Sequence, residues 1–122
     1  MRKIKIKTND SKVDLDVEFF DNPAGKKILK SLPIRSEART WGEEIYFNIG
    51  TSLPDEGATM QVDIGDVAYW PEGNCLCIFF GKTPISSGEK PVPASEVVIV
   101  GKAAIDTEML RKVKNGSSVI IE

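Results

Sequence analysis

The amino-acid sequence predicts a single, mainly β domain, and three observations support this fold class. The chain has 122 residues, which is the length of one domain. Apolar and polar residues alternate along several segments with the period of two that is typical of half-buried strands. Only two short stretches carry apolar residues at helical spacing. We therefore expect about seven or eight strands and two short helices, forming one small β-barrel or sandwich closed at its ends by the helices.

The N-terminal segment predicts a β-hairpin. Residues 3–7 read Lys-Ile-Lys-Ile-Lys and residues 13–19 read Val-Asp-Leu-Asp-Val-Glu-Phe, with the turn-forming stretch Thr8-Asn9-Asp10-Ser11 between them. The lysines of one strand face the acids of the next, and each such cross-strand pair contributes ~0.2–1 kcal/mol. The lysine row is therefore expected to be a solvated face rather than a phosphate site.

Two short helices are predicted from start and stop signals. Asn22 followed by Pro23 is a typical helix start, and Pro33 ends the helix expected over residues 23–32. Asp106 begins a second short helix, which ends at Asn115-Gly116.

The remaining strands are predicted between and after the helices. Their expected ranges are 44–49, 66–70, 75–80, 96–102 and 118–121, with a further short strand as a candidate at 60–64, and residues 34–40 are expected to be extended. Residues 75–80 are apolar on both faces, so this strand is expected to be central. Residues 82–95 contain three prolines, and we expect either a passive surface loop or a segment that gates a cleft.

Composition excludes several classes of site. The chain contains no histidine, which excludes serine–histidine–carboxylate triads and imidazole metal sites. Its two cysteines, Cys75 and Cys77, cannot complete a four-ligand zinc site without a second pair. They are expected to be buried, reduced thiols. We predict neither a metal site nor a cofactor.

Charge and hydropathy narrow the possible partners. The formal net charge is −2, which argues against nucleic-acid binding, since that requires clustered positive charge. No run approaches the ~18 apolar residues of a membrane span, and the N-terminus lacks the apolar stretch of a signal peptide. The expectation is a soluble, cytoplasmic protein that binds neither nucleic acid nor membrane.

Two segments resemble a known family. One is Trp41-Gly42-Glu43-Glu44-Ile45-Tyr46-Phe47, and the other runs from Gly65 to Pro84 as GDVAYWPEGNCLCIFFGKTP. Together they resemble the small prokaryotic cyclophilin-like domain family. The resemblance implies a mainly β fold, a closed eight-stranded cyclophilin-like barrel capped by two short α-helices, in a single domain over residues 1–122.

The resemblance also implies a candidate site. Authentic cyclophilins rotate X–Pro bonds with an arginine and an apolar pocket, which places Arg39 as the catalytic residue and Met60, Cys77 and Phe79 in the pocket. The polar floor of the cleft would come from Arg39, Glu44, Tyr46, Tyr69 and Thr83. The pocket histidine of the family falls near Val97, and no Phe-Met-x-Gln segment follows Arg39. Most of the isomerase site is therefore rewritten.

Three functions follow as hypotheses. The first is a cyclophilin-fold module that binds a small molecule or a proline-containing peptide in the rewritten cleft. The alternative is a weak or altered peptidyl-prolyl isomerase. The third is another chemistry based on Glu44 and Tyr46, which share one strand face. That face either lines a cleft, with Arg39 beside the two residues, or meets solvent, where Arg39 and Glu44 would form a surface salt bridge covered by Tyr46. Trp41 and Trp70 are expected to be core or rim residues rather than ligand platforms.

Overall fold

The computed structural model describes residues 2–8 and 11–122, and its strands form one antiparallel sheet. The strands are β1 (Arg2–Lys7), β2 (Lys12–Phe19), β3 (Ile34–Glu37), β4 (Arg39–Thr40), β5 (Glu44–Asn48), β6 (Asp66–Trp70), β7 (Cys75–Phe79), β8 (Val98–Ala103) and β9 (Ser118–Ile121). The helices are α1 (Pro23–Ser31) and α2 (Thr107–Leu110). The predicted mainly β fold with two short helices is confirmed.

The sheet curls into a nearly closed barrel because its two edge strands are consecutive in the chain. The strand order is β3-β9-β1-β2-β8-β6-β7-β5-β4, and only Ala38 separates β3 from β4. The Ala38 amide donates to the Ser117 carbonyl at 2.7 Å, and the Gly116 amide donates to the Ala38 carbonyl at 2.8 Å. The predicted extended segment 34–40 is thus divided into two strands, so the described residues contain nine strands rather than eight.

The predicted N-terminal hairpin is present in β1 and β2, although Asn9 and Asp10 of its turn lie outside the described residues. Lys3 lies opposite Asp16 and forms an ion pair with it. Lys5 instead pairs with Glu122 at 2.7 Å. The apolar residues that alternate with these charged residues along β1 and β2, such as Ile4 and Ile6, are buried inside the barrel.

Both helices begin at the residues that the sequence indicates. The Asn22 side chain accepts a hydrogen bond from the Gly25 amide at 2.8 Å, and the Asp106 side chain accepts one from the Met109 amide at 3.3 Å. Helix α1 ends at Ser31, because a residue that precedes proline disfavours the α conformation. Helix α2 is shorter than expected. In the part of the chain that is described, no helix has the length and apolar character to cross a membrane.

Apolar side chains pack on both faces of strands β5 to β8. The inner face contributes to the main core with residues such as Ile45, Phe47 and Ile78. The outer face carries a second, smaller cluster formed by Val62, Ala68, Cys77, Phe79 and Val97. The both-faces-apolar pattern of residues 75–80 is explained by this second layer.

The segment that was predicted as a strand at residues 60–64 instead covers the outer face as irregular chain. The strand-like pairing that the described residues show here is a single bridge between Thr59, just before this segment, and Val97. Val62 is buried in the second cluster, whereas Met60 and Ile64 are 39% and 50% exposed. The alternation of apolar residues in this segment therefore does not mark a strand.

Candidate functional site

A cavity of about 230 Å³ lies on the outer face of the barrel. It is bordered by side chains from three strands, from the β4–β5 turn and from the loop that precedes β8. The lining residues are Trp41, Glu44, Tyr46, Trp70, Cys77, Phe79, Pro93, Ala94 and Val97. Most of these side chains are apolar or aromatic, and Glu44 is the charged one among them.

Strand pairing brings the floor of the cavity together. Glu44 lies opposite Phe79, and Tyr46 lies opposite Cys77, in the antiparallel ladder of β5 and β7. Directly paired residues project to the same face of a sheet, so all four side chains converge on the outer face. The sequence pattern predicted this face for Glu44 and Tyr46.

Trp70 forms one wall and is held by a chain of hydrogen bonds. Its indole Nε1 donates to the Ser95 hydroxyl at 2.6 Å, and that hydroxyl donates to Glu72 at 2.9 Å. The ring also packs edge-on against Tyr46, with centroids 6.4 Å apart and an interplanar angle of 81°. A Cβ atom at Gly73 would come within 2.5 Å of the Trp70 ring, so this glycine leaves room for the indole.

Trp41 is positioned by the tight turn between β4 and β5. Gly42 has a φ of +61°, and a Cβ atom there would lie 2.8 Å from the Pro84 ring and 2.9 Å from the Lys82 carbonyl oxygen. The Glu43 amide donates to that same carbonyl at 2.7 Å. The turn therefore packs directly against the start of the 82–95 loop.

The 82–95 loop is folded back on itself and supplies the far side of the cavity. The Thr83 hydroxyl donates to the Val92 carbonyl at 2.6 Å, which fixes the approach to Pro93 and Ala94. Thr83 is buried and acts as an anchor of this loop. Pro93 is buried as well, so the loop forms part of the site.

Glu44 is a buried carboxylic acid whose charge is poorly compensated. Its exposed fraction is 6%, and burial raises its pKa from 4.5 to about 7, although an interaction with the Cys77 thiol opposes that rise. Within residues 2–8 and 11–122, its Oε1 atom has no hydrogen-bond partner. Buried polar atoms are nearly always hydrogen-bonded in native proteins, so this oxygen calls for a partner.

The two cysteines are free and buried, as the sequence indicates. Burial and the nearby Glu44 raise the pKa of the Cys77 thiol well above its usual value. Since the thiolate is the reactive form, Cys77 is poorly suited to nucleophilic catalysis and acts as a thiol beside the carboxylate. No group of three or more potential metal ligands occurs in the described part of the chain.

Four residues that were predicted for the site lie outside the cavity lining. Arg39 is exposed on the edge strand β4, which no further strand covers. Met60 is 39% exposed, in the irregular segment that precedes β6. Tyr69 belongs to the main core and donates from its hydroxyl to Asn74 at 2.7 Å. Thr83 is the loop anchor described above.

Other lining residues were not predicted as ligand contacts. Trp41 and Trp70 were expected in the core or at a rim, and Pro93 and Ala94 were part of a loop with no assigned contacts. The signal that could have found Trp70 is the alternation of β6, which places Ala68 and Trp70 on the face opposite Val67 and Tyr69. Val97, which the resemblance placed at the histidine position, does line the cavity.

Comparison with known proteins gives matches over the whole chain. The family model described as Cyclophilin-like matches residues 2–122. The chain is similar to the solution structure of the hypothetical protein AF2241 from Archaeoglobus fulgidus, with 36% identity and a TM-score of 0.74, covering 100% of this chain and 93% of that one. No curated protein matches.

A more distant likeness is to the structure of McbB in complex with tryptophan. The identity is 13% and the TM-score is 0.67, over 98% of this chain and 44% of the McbB chain. At this identity the match is one of fold alone, and the chain spans less than half of that protein.

Proposed function

This chain belongs to the cyclophilin-like family, as its motifs predict, and from that premise we propose that it binds a small molecule in the cavity on the outer face of strands β5–β8. The ligand is an apolar body that carries a hydrogen-bond donor at its inner end.

The observation that carries this proposal is the unpartnered carboxylate oxygen of Glu44 at an otherwise apolar cavity. An isolated buried carboxylate costs several kcal/mol unless it is paired or neutralised. A fold that needed only a filled core at this place would be better served by an apolar residue. Oε1 is itself buried, and Glu44 lines the cavity. A ligand that donates to this carboxyl group, once its side chain turns toward the cavity, accounts for the carboxylate and for the space beside it.

The size and walls of the cavity indicate the size of the ligand. Its volume of about 230 Å³ equals that of roughly eight water molecules, which is below the usual ~300–1,000 Å³ of drug-sized pockets. A single ring with a short side chain fits this volume better than a peptide does. The rings of Trp41, Tyr46, Trp70 and Phe79 supply the apolar contact surface.

Prolyl isomerisation is the less favoured function. It was predicted with Arg39 as the group that weakens amide resonance, and Arg39 lies exposed, outside the cavity lining. A protease-coupled assay on a short X–Pro peptide tests this alternative. Acceleration at micromolar protein that is lost in Arg39→Ala would make isomerisation the better assignment.

The binding proposal is testable with small aromatic fragments, and tryptophan joins the screen because McbB was solved with it. The chain has two tryptophans, and both line the cavity, so their fluorescence reports on its occupancy. For fragments that do not fluoresce we expect saturable quenching. For every fragment, tryptophan included, we expect amide shift changes in residues 41–46, 77–79 and 93–97. Hits that map only to the β1–β2 hairpin, or the absence of any saturable hit, would contradict the proposal.

A further inference from the structure

We propose that the ligand is an organic cation, an ammonium group on a small apolar body, and that its charged nitrogen pairs with the Glu44 carboxylate. This inference rests on the proposed function and specifies its ligand class. It is drawn from the charges around the cavity, the chemistry of the walls and the buried, incompletely hydrogen-bonded carboxyl group of Glu44 in the lining.

The protein itself supplies no positive charge for Glu44. Among the described residues, no lysine or arginine forms an ion pair with it, and no cation contributes to its pKa. The neighbouring Glu43 is paired with Arg111 at 2.7 Å, and Lys82 pairs with Glu89 at 3.5 Å. Arg39 lies opposite Tyr46 on the same face, but it is exposed and outside the cavity lining. A buried carboxylate without a cation is costly, and a cationic ligand would supply the missing charge.

The walls select for the same charge. Tryptophan, tyrosine and phenylalanine rings attract cations to their faces, and the attraction is larger where water is excluded. Trp41, Tyr46, Trp70 and Phe79 line the same cavity as Glu44. An anionic ligand would meet Glu44 without any basic side chain in the lining to balance it. A neutral donor would satisfy the oxygen but would leave the charge uncompensated.

Binding of such a cation is coupled to the protonation of Glu44. The titratable groups on its face are Tyr46 on its own strand, the exposed Arg39 opposite Tyr46 on β4, and the Cys75 and Cys77 thiols on β7. The other lining residues, from the turn, from β6 and from the loop, do not ionise. Because Glu44 binds a cation only when ionised, affinity for the cation should fall about tenfold per pH unit well below the carboxyl pKa and level off above it.

The test uses three probes with the same ring and a short chain, namely 2-phenylethylamine, 2-phenylethanol and phenylacetate. At pH 8 we expect the amine to bind at least about tenfold more tightly than the alcohol, with the anion weakest. In Glu44→Gln the amine should lose about 10- to 100-fold in affinity, while the alcohol changes little. Glu43→Gln is the matched control, because Glu43 is adjacent in sequence and outside the lining, and both affinities should be retained.

The outcomes separate the two proposals. If the alcohol binds in the cavity as tightly as the amine, the cation assignment is wrong and small-molecule binding stands. If no probe or fragment binds there, both are wrong. The pH profile of the wild-type protein needs no variant: an amine affinity that is constant from pH 5 to pH 8 would overturn the pairing with Glu44 even if a substitution disturbed the fold.

Discussion

The burial of Glu44 predicts that replacing it by glutamine stabilises the protein in a pH-dependent manner. The pKa of Glu44 is raised from 4.5 to about 7 in the folded chain. Between these values the folded state binds more protons than the unfolded state, so the free energy of unfolding falls as the pH rises. Glutamine fills nearly the same volume and does not ionise, which removes this dependence.

The size of the effect follows from the shift. A difference of 2.5 pKa units, from 4.5 to about 7, corresponds to about 3 kcal/mol once Glu44 is fully ionised. At pH 8 wild type carries nearly all of this penalty, and at pH 5 it carries about 1 kcal/mol or less. Glu44→Gln should therefore gain about 2 kcal/mol or more relative to wild type between pH 5 and pH 8.

The assay is urea denaturation of both proteins at the two pH values and at equal ionic strength. With an m-value of about 1–3 kcal/mol per molar urea, the gain appears as a clear shift of the midpoint. The glutamine amide can also change the free energy of unfolding by an amount that does not depend on pH. This amount cancels when the difference between the two proteins at pH 8 is compared with that at pH 5. Glu43→Gln removes the partly exposed ion pair with Arg111 and should change stability by about 0–1 kcal/mol equally at both pH values. Parallel pH dependences of wild type and Glu44→Gln would refute the reasoning.

Three further predictions concern the supports of the cavity. Gly42→Ala should destabilise the protein by about 2 kcal/mol or more, because an L-residue is strained at a φ of +61° and its Cβ would meet Pro84 and the Lys82 carbonyl; an unchanged thermal midpoint would contradict this. Ser95→Ala should reduce stability by about 1 kcal/mol through the lost Trp70 hydrogen bond and shift the tryptophan emission, whereas Ser87→Ala, on an exposed part of the loop, should do neither. Native Cys77 should react with iodoacetamide far more slowly than in urea at pH 8, because its thiol is buried and protonated; equal rates would show an open site.

Features that depend on local sequence were predictable. The alternation of β1 and β2 and the capping side chains of Asn22 and Asp106 act within a few residues, and the structure has them where the sequence indicates. The shared face of Glu44 and Tyr46 follows from the period of two. The resemblance supplied the choice of a barrel over a sandwich, which alternation alone left open.

Features that depend on distant contacts were not predictable. The Thr83 hydroxyl donates a hydrogen bond to the Val92 carbonyl, and the spacing of these residues in the sequence does not predict that bond. Met60 belongs to the alternating segment 60–64, which covers the outer face of the barrel as irregular chain. Such a segment can show the same alternation as a strand. Arg39 lies opposite Tyr46 in the ladder, yet its side chain is exposed because β4 is the last strand of the sheet. In each case tertiary neighbours decide the environment.

The contrast between Glu43 and Glu44 depends on the register of β5 against β7. Adjacent residues of an extended chain face opposite ways, so a slip of this ladder by one residue would bring Glu43 to the outer face in place of Glu44 and invert every side chain of β5. A slip of two residues would preserve the facing. The register of β5 against β7 is therefore a criterion for judging which relatives retain an acidic cavity, independent of the length of the turn before β5.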